Sequence, residues 1–184
     1  MNQSLLPMPE SFRTKLLRWK FNLFPAYRGT GGRITYIAAD VREIHVRLPL
    51  NWRTRNYVGT IFGGSIYAAL DPIHMIMLIR ALGPGYVVWD KAAGVRFKHP
   101  GRSTLHAHFR LEEEEVRAIK SELENARSVD RVYSVELKDA AGKVHATVEK
   151  TIYIRRRDAG AKFVSATESG ASSSPASEPS PDAP

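Results

Sequence analysis

The chain has 184 residues, of which 43% are hydrophobic and 25% charged, as expected of one ordinary globular domain with its own core. It contains no cysteine, so disulfides, thiolate metal sites and a cysteine nucleophile are excluded. The net charge of +8, from 27 basic and 19 acidic residues, favours anionic partners in general: a phosphorylated cofactor, a membrane surface or nucleic acid.

The first 31 residues are predicted to form an amphipathic helix and a linker. Over residues 9–24, apolar side chains recur at helical spacing opposite a basic face: Phe12, Leu16, Trp19 and Leu23, with Leu17 and Phe24 beside them. We expect this helix to pack against the chain's own domain, and an anionic lipid surface stays open as the alternative. Basic residues interrupt any secretory signal, and the longest apolar run, Ile73–Ile79, is far shorter than the roughly 20 residues that span a bilayer. The sequence therefore predicts a cytoplasmic protein without a membrane span.

Residues 32–157 have the pattern of one α+β domain. The predicted strands are 34–48 in two pieces around Asp40, 86–98, 104–111, 131–138 and 143–155. A short helix is predicted over 112–126, and a longer one over 62–82 is apolar on nearly all sides. Because such a helix must be buried, we expect the antiparallel sheet to wrap around it. Residues 158–184, rich in Ser, Pro and Ala, are predicted to be disordered.

The stretch Asn56–Asp71, NYVGTIFGGSIYAALD, joins a polar loop with glycines to this apolar helix. Asp71 is the only carboxylate over 62–82, and a buried carboxylate without a partner is costly, so this acid needs a partner or a function. Gly63 and Gly64 allow a ligand to approach the backbone at the helix start, where free N–H groups can bind a carbonyl oxygen. An acid and free backbone N–H donors on one helix indicate chemistry on an acyl group.

Structural explanations stay open for these residues. Asp71 precedes Pro72, and this pair is also typical of an N-cap followed by a first-turn proline. Gly63 and Gly64 could serve only close packing of helix and sheet. His74 lies three residues after Asp71 and is expected to pack there and pair with the acid. Two ligands do not make a metal site, so no metal is predicted.

The run Asn56-x-x-Gly59-x-x-Phe62-Gly63-Gly64, followed by Asp71, resembles the acyl-CoA thioesterases of the hotdog superfamily, most closely the phenylacetyl-CoA thioesterase-like branch. The phrases NYVGTIFGGSIYAALDP and WDKAAGVRFKHPG are also similar to an uncharacterised hotdog family whose members are sometimes labelled tetrameric acyl-CoA thioesterases. The resemblance covers about residues 32–155 and implies a hotdog fold, an antiparallel sheet wrapped around one long central helix.

The resemblance also implies an active site between two subunits of a dimer or tetramer. Asp71 would act as general base or nucleophile, and Asn56 would orient the water or the acid. The backbone N–H groups of Gly63 and Gly64, contributed by the other subunit, would polarise the thioester carbonyl. These thioesterases usually carry His just before the two glycines, where this chain has Phe62.

The substrate implied by the resemblance is an acyl-CoA thioester, with coenzyme A as part of the substrate and no other cofactor. The acyl chain would lie along the central helix, with Phe62, Ile66, Tyr67 and Leu70 as wall residues. A basic rim could hold the coenzyme A phosphates, and a solvated strand end stays open as the alternative for each of its residues: Arg96, Lys98 and Arg102. A non-catalytic acyl or acyl-CoA binding protein is the alternative, and a dehydratase is disfavoured because it usually needs a His beside the acid. No motif supports nucleic-acid binding.

Overall fold

A computed structural model describes residues 8–157, so the predicted disordered tail 158–184 lies outside the described residues. The helices are α1 (Phe12–Leu23), α2 (Pro25–Gly29), α3 (Gly63–Ala68), α4 (Ile73–Leu82) and α5 (Glu113–Asn125). The strands are β1 (Arg33–Ile37), β2 (Glu43–Leu48), β3 (Tyr86–Phe97), β4 (Leu105–Arg110), β5 (Val129–Lys138) and β6 (Val144–Arg156). The predicted elements all occur, with ends that differ by a few residues. The short α2 is not among them, because Pro25 stops α1 but also suits the first position of a new helix.

The six strands form one antiparallel sheet in the order β1-β2-β4-β5-β6-β3, which leaves β1 and β3 at the two edges. One face of the sheet is apolar, as β4 illustrates with its buried Leu105, Ala107 and Phe109. This face closes around α3 and α4, whose buried side chains belong to the same core. The architecture is the predicted hotdog fold.

The central helix Gly63–Leu82 is interrupted by a turn over residues 69–72, which separates α3 from α4. Pro72 explains the break, since proline lacks an N–H and disfavours helical geometry in the residue before it. Asp71 therefore lies in this turn rather than within a continuous helix. By length and composition this stretch is a candidate membrane span, the one found in the part of the chain that the structure describes. However, 50% of it is buried inside the fold, as expected of a core helix.

α1 packs on β1 with a different face from the predicted one. Thr14 is buried, and Leu17 and Phe21 pack against the core. The predicted stripe instead faces solvent, with Phe12 83% and Trp19 63% exposed. The helix therefore packs against the domain as predicted, but through Leu17 and Phe21 rather than through the predicted stripe.

A polar residue, Asn22, explains which face of α1 is buried. Its Nδ2 donates to the Ile34 carbonyl at 2.8 Å, and its Oδ1 accepts from the Ile34 N–H at 2.9 Å. The amide thus takes the place of a neighbouring strand at the edge of β1 and satisfies both backbone groups of a buried residue. A search for apolar periodicity cannot detect this anchor.

Replacing Asn22 with Ala is expected to lower the free energy of unfolding by about 1–3 kcal/mol, because two backbone groups of Ile34 lose their partner. Urea unfolding of the full chain measures this change. The matched control is Leu23→Ala, one residue further, where the side chain is 58% exposed and the change should stay within about 0.5 kcal/mol. Equal losses in the two variants would show that Asn22 does not anchor α1.

Candidate functional site

Asp71 is held by two side chains that contact the same carboxylate oxygen. Its Oδ1 accepts from the Tyr67 hydroxyl at 2.6 Å and from the Lys150 ammonium at 2.7 Å. Lys150 Nζ also donates to the Asp71 carbonyl oxygen at 2.6 Å and to Oδ2 of Asp90 at 2.5 Å. The ammonium therefore has three acceptors for its three protons. It needs them, because Lys150 is only 1% exposed.

Lys150 lies on the inward face of β6. The neighbouring inward side chains Val148, Ile152 and Ile154 are fully buried, so the strand places a cation within an apolar row. A buried ammonium is stable only with opposite charges and hydrogen-bond acceptors around it. Neither Lys150 nor Asp90 is among the predicted site residues. The sequence signal for Lys150 is a lysine at a core position of an otherwise alternating apolar strand.

Asp90 lies on the inward face of β3, immediately before a β-bulge. The register between β3 and β6 shifts between Asp90, which pairs with Ile152, and Ala92, which pairs with Thr151. Lys91 is the extra residue, so the inward positions of β3 shift from Val88 and Asp90 before it to Ala93 and Val95 after it. Asp90 therefore shares the inward face with Ile152 and completes the cluster of Asp71, Asp90 and Lys150.

The surroundings of Asp71 keep its carboxylate ionised. Burial raises the pKa of Asp71, but the hydrogen bonds from Lys150 and Tyr67 and the charge of the lysine together lower the pKa below its usual value of 3.8. Burial and the hydrogen bond to Asp71 raise the pKa of Tyr67 to about 12, so this hydroxyl remains a donor. The Asp71 side chain is 41% exposed and so remains accessible from solvent.

The sequence suggests two structural explanations for this region: that Asp71 caps a helix, and that His74 packs beside it and pairs with it. Asp71 does not cap α4, because the cap position is occupied by Pro72 and no side chain accepts a hydrogen bond there. His74 is packed as expected, with its ring 4.8 Å from that of Tyr133 and 4.9 Å from that of Phe109. Its expected pairing with Asp71 is wrong, since the acid bonds to Tyr67 and Lys150 instead. Burial and the Lys150 charge lower the pKa of His74 to about 4, so it is neutral at physiological pH.

Gly63 and Gly64 begin α3 beneath two aromatic rings. A Cβ on Gly63 would lie 3.0 Å from the Phe97 ring, and one on Gly64 would lie 2.3 Å from the Phe62 ring. Close packing is thus one reason for these glycines. N–H groups in the first turn of a helix have no partner within that helix. The same positions therefore combine backbone donors with aromatic side chains that are more than half exposed.

Asn56 closes the loop that leads to these glycines. Its Nδ2 donates to Thr60 Oγ1 at 2.9 Å, and its Oδ1 accepts from the Thr60 N–H at 2.9 Å. Both ends of the amide are therefore engaged inside the loop rather than with Asp71. This arrangement gives Asn56 a positioning role for the loop.

The predicted wall residues differ in exposure. Ile66 is a core residue with 3% of its surface exposed, whereas Phe62 is 56% exposed. Tyr67 reaches an open groove of about 460 Å³ along β3, which Asp90 and Val95 also line. Phe62 and Tyr67 thus stay accessible to a ligand, while Ile66 supports them from below.

The predicted basic rim lies at the end of β3 and in the following turn, where all three members are exposed: Arg96, Lys98 and Arg102. Lys98 lies 4.0 Å from Glu136, a loose surface ion pair. The rim is adjacent in sequence to Phe97, whose ring covers Gly63. The structure therefore gathers the basic residues and the glycines at one end of β3, and Asp71 and Asp90 further along it.

Replacing Lys150 with Met is expected to lower the free energy of unfolding at neutral pH by about 1–3 kcal/mol, because two partly exposed carboxylates lose a hydrogen-bonded counter-charge. The lowered pKa of Asp71 contributes stability above its unfolded value, and this contribution is lost as pH falls through the folded pKa. The difference between wild type and variant should therefore shrink in acid.

Urea unfolding at neutral and at acid pH tests this expectation. The control is Lys91→Met, since Lys91 pairs with Asp130 at 2.6 Å on the surface and its loss should cost at most about 1 kcal/mol. If the two lysine variants are equally stable at neutral pH, Lys150 does not balance a buried charge.

Solved structures of low sequence identity share this fold. A Pseudomonas aeruginosa protein of unknown function, described as a probable thioesterase, is 18% identical with a TM-score of 0.71, over 83% of this chain and 100% of that one. A Haemophilus influenzae thioesterase is 17% identical with a TM-score of 0.59, over 82% of this chain and 96% of that one. A Chlorobaculum tepidum protein of unknown function is 15% identical with a TM-score of 0.62, over 78% of this chain and 94% of that one.

Comparison with curated protein sequences finds no match. The model of one protein family, described as "Domain of unknown function (DUF4442)", matches residues 13–154, which include all of the helices and strands except the first residue of α1 and the last two residues of β6. The chain therefore belongs to the DUF4442 family.

Proposed function

We propose that the protein hydrolyses acyl-CoA thioesters and that Asp71 carries the chemistry. The observation that supports this most is an ionised, partly exposed carboxylate whose Oδ1 is oriented by Lys150 and Tyr67. Two of the similar folds belong to proteins described as a thioesterase or a probable thioesterase.

In the proposed reaction, the Asp71 carboxylate takes a proton from water while the water oxygen bonds to the thioester carbonyl carbon. We assign this step to Oδ2, because both donors contact Oδ1. The N–H groups of Gly63 and Gly64 donate to the oxyanion that forms. The C–S bond then breaks, and the coenzyme A thiol leaves with the proton that Asp71 had taken. Direct attack by the carboxylate, which would form an anhydride that water then opens, uses the same groups.

The site is proposed to be shared between two chains. Gly63 begins α3 and Asp71 lies in the turn beyond its end. The six residues of α3, roughly 9 Å of helix, therefore lie between them, which is too far for one carbonyl group to contact both within a single chain. β3 is an edge strand, and its exposed Trp89 and Phe97 offer apolar area for a second subunit. Side-by-side pairing through β3 would bring the glycines of one chain to Asp71 of the other.

Light scattering should then give a dimer or tetramer of the 20.6 kDa chain, and an active monomer would contradict the shared site.

Substrate binding is proposed along β3. The groove beside Tyr67 would receive the acyl group, and Phe62 and Phe97 would cover the thioester at the glycines. The exposed Arg96, Lys98 and Arg102 would contact the phosphates of coenzyme A. Exposed basic side chains suit a ligand that carries several negative charges and dissociates after reaction.

The second candidate is a non-catalytic acyl-CoA binding protein. Two observations favour it: Phe62 stands at the position before the glycines, and the low pKa of Asp71 makes its carboxylate a weaker base. Such a protein would bind acyl-CoA at the same groove and release no thiol.

Free-thiol release from short, long and aromatic acyl-CoAs is the direct test. Asp71→Asn is expected to lower kcat by about 100-fold or more, because general-base catalysis contributes at least that factor. The matched control is Asp130→Asn, a surface aspartate paired with Lys91, which should keep the wild-type rate. Circular dichroism establishes that both variants are folded.

The remaining outcomes separate the two candidates. A folded Asp71→Asn variant with the wild-type rate would remove Asp71 from the mechanism. If the wild type binds acyl-CoA saturably but releases no thiol from any of the substrates, hydrolysis is wrong and the binding function replaces it.

A further inference from the structure

The outer face of α1 is an apolar surface that the proposed reaction does not use. Its members, called here the α1 stripe, are 49–83% exposed: Phe12, Leu16, Trp19 and Leu23. At about 100° per residue, these four side chains lie within roughly 60° of the helix circumference. Phe24, which is 58% exposed, extends the stripe beyond the end of the helix.

The stripe cannot turn inward, because the opposite face of α1 is already anchored. Asn22 bonds to both backbone groups of Ile34, and Thr14 is 3% exposed. Thr14 and Ser11 also form a capping box that fixes the start of the helix. An amphipathic helix that is held rigidly with its apolar side outward is suited to contact something outside the domain.

The charges around the stripe are all positive. On the helical projection, Lys15 lies on one side of it and Arg13 and Lys20 lie on the other, and all three are exposed. α1 contains no acidic residue, and the nearby Glu10 is engaged by Arg18 at 2.8 Å. Apolar and aromatic side chains flanked by basic ones form the pattern of helices that lie in the interface of an anionic bilayer.

A loop next to α2 adds the same chemistry. Trp52 is 84% exposed, and the guanidinium of the following Arg53 lies 5.9 Å from its ring. Arg53 also donates to the carbonyl of Arg28 in α2 at 3.3 Å, which ties this loop to the N-terminal helices. A second tryptophan beside a basic residue therefore lies close to the end of α2.

We propose that α1 docks the protein onto an anionic lipid surface. The α1 stripe enters the boundary between headgroups and acyl chains, and Arg13, Lys15 and Lys20 contact lipid phosphates. A second copy of the chain is a poorer occupant. A symmetric contact through α1 would bring two sets of basic residues together, and like charges repel.

Co-sedimentation of the full chain with lipid vesicles tests the proposal. The protein is expected to sediment with vesicles of phosphatidylcholine and phosphatidylglycerol in equal parts, much less with phosphatidylcholine alone, and less at high salt. The double variant Lys15→Gln with Lys20→Gln should weaken binding by about fivefold for each lysine. The double variant Leu16→Ser with Trp19→Ser should weaken it by about tenfold or more.

Val132→Ser is the matched control, because Val132 is 62% exposed on β5, away from α1, and its loss should leave vesicle binding unchanged. Circular dichroism and thermal unfolding check that each variant is folded. The proposal is overturned if the wild type fails to sediment with anionic vesicles, or if it binds neutral vesicles equally. It is also overturned if the variant Leu16→Ser with Trp19→Ser keeps full vesicle binding. A further contradicting result is that neither the wild type nor this variant binds vesicles, while the variant forms a smaller oligomer than the wild type. In the last case a second copy covers the stripe.

Discussion

The buried ammonium of Lys150 is the constraint on which the candidate site depends. A cation that is 1% exposed must be neutralised locally, and two carboxylates and a backbone carbonyl surround it. Asp90 on the inward face of β3 and Asp71 in the turn before Pro72 supply the two carboxylates. The central helix, β3 and β6 are therefore joined by charge as well as by apolar packing.

The same interaction sets the chemical character of Asp71. Partial burial raises the pKa of this acid, but the Lys150 and Tyr67 hydrogen bonds and the lysine charge outweigh that effect. The carboxylate is thus ionised throughout the physiological pH range, at the cost of basicity. In the proposed thioesterase, the fixed orientation and the permanent ionisation of the Asp71 carboxylate would compensate for its lower basicity. In the proposed binding protein, the same cluster would serve only to join the helix to the sheet.

Much of the fold follows from the sequence, because strand alternation and an all-round apolar helix are local patterns. The break at Pro72 also has a local cause, although the apolar run suggests a continuous helix. The ion pairs of Lys150, by contrast, cannot be predicted from local patterns, since Asp71 and Asp90 are distant from it in sequence. The buried face of α1 depends on hydrogen bonds of Asn22 to β1, which hydrophobic periodicity does not reveal. Among the candidate site residues, Asn56 and His74 have structural partners that no motif indicates.

A titration of the Asp71 carboxyl by carbon NMR tests the central claim most directly. The account predicts a pKa below the usual 3.8 in the wild type, because Lys150 and Tyr67 stabilise the ionised form. It also predicts a higher pKa in the Tyr67→Phe variant, which loses one donor to Oδ1. A wild-type pKa at or above the usual value, or no rise in the variant, would contradict the claim that this cluster holds Asp71 ionised.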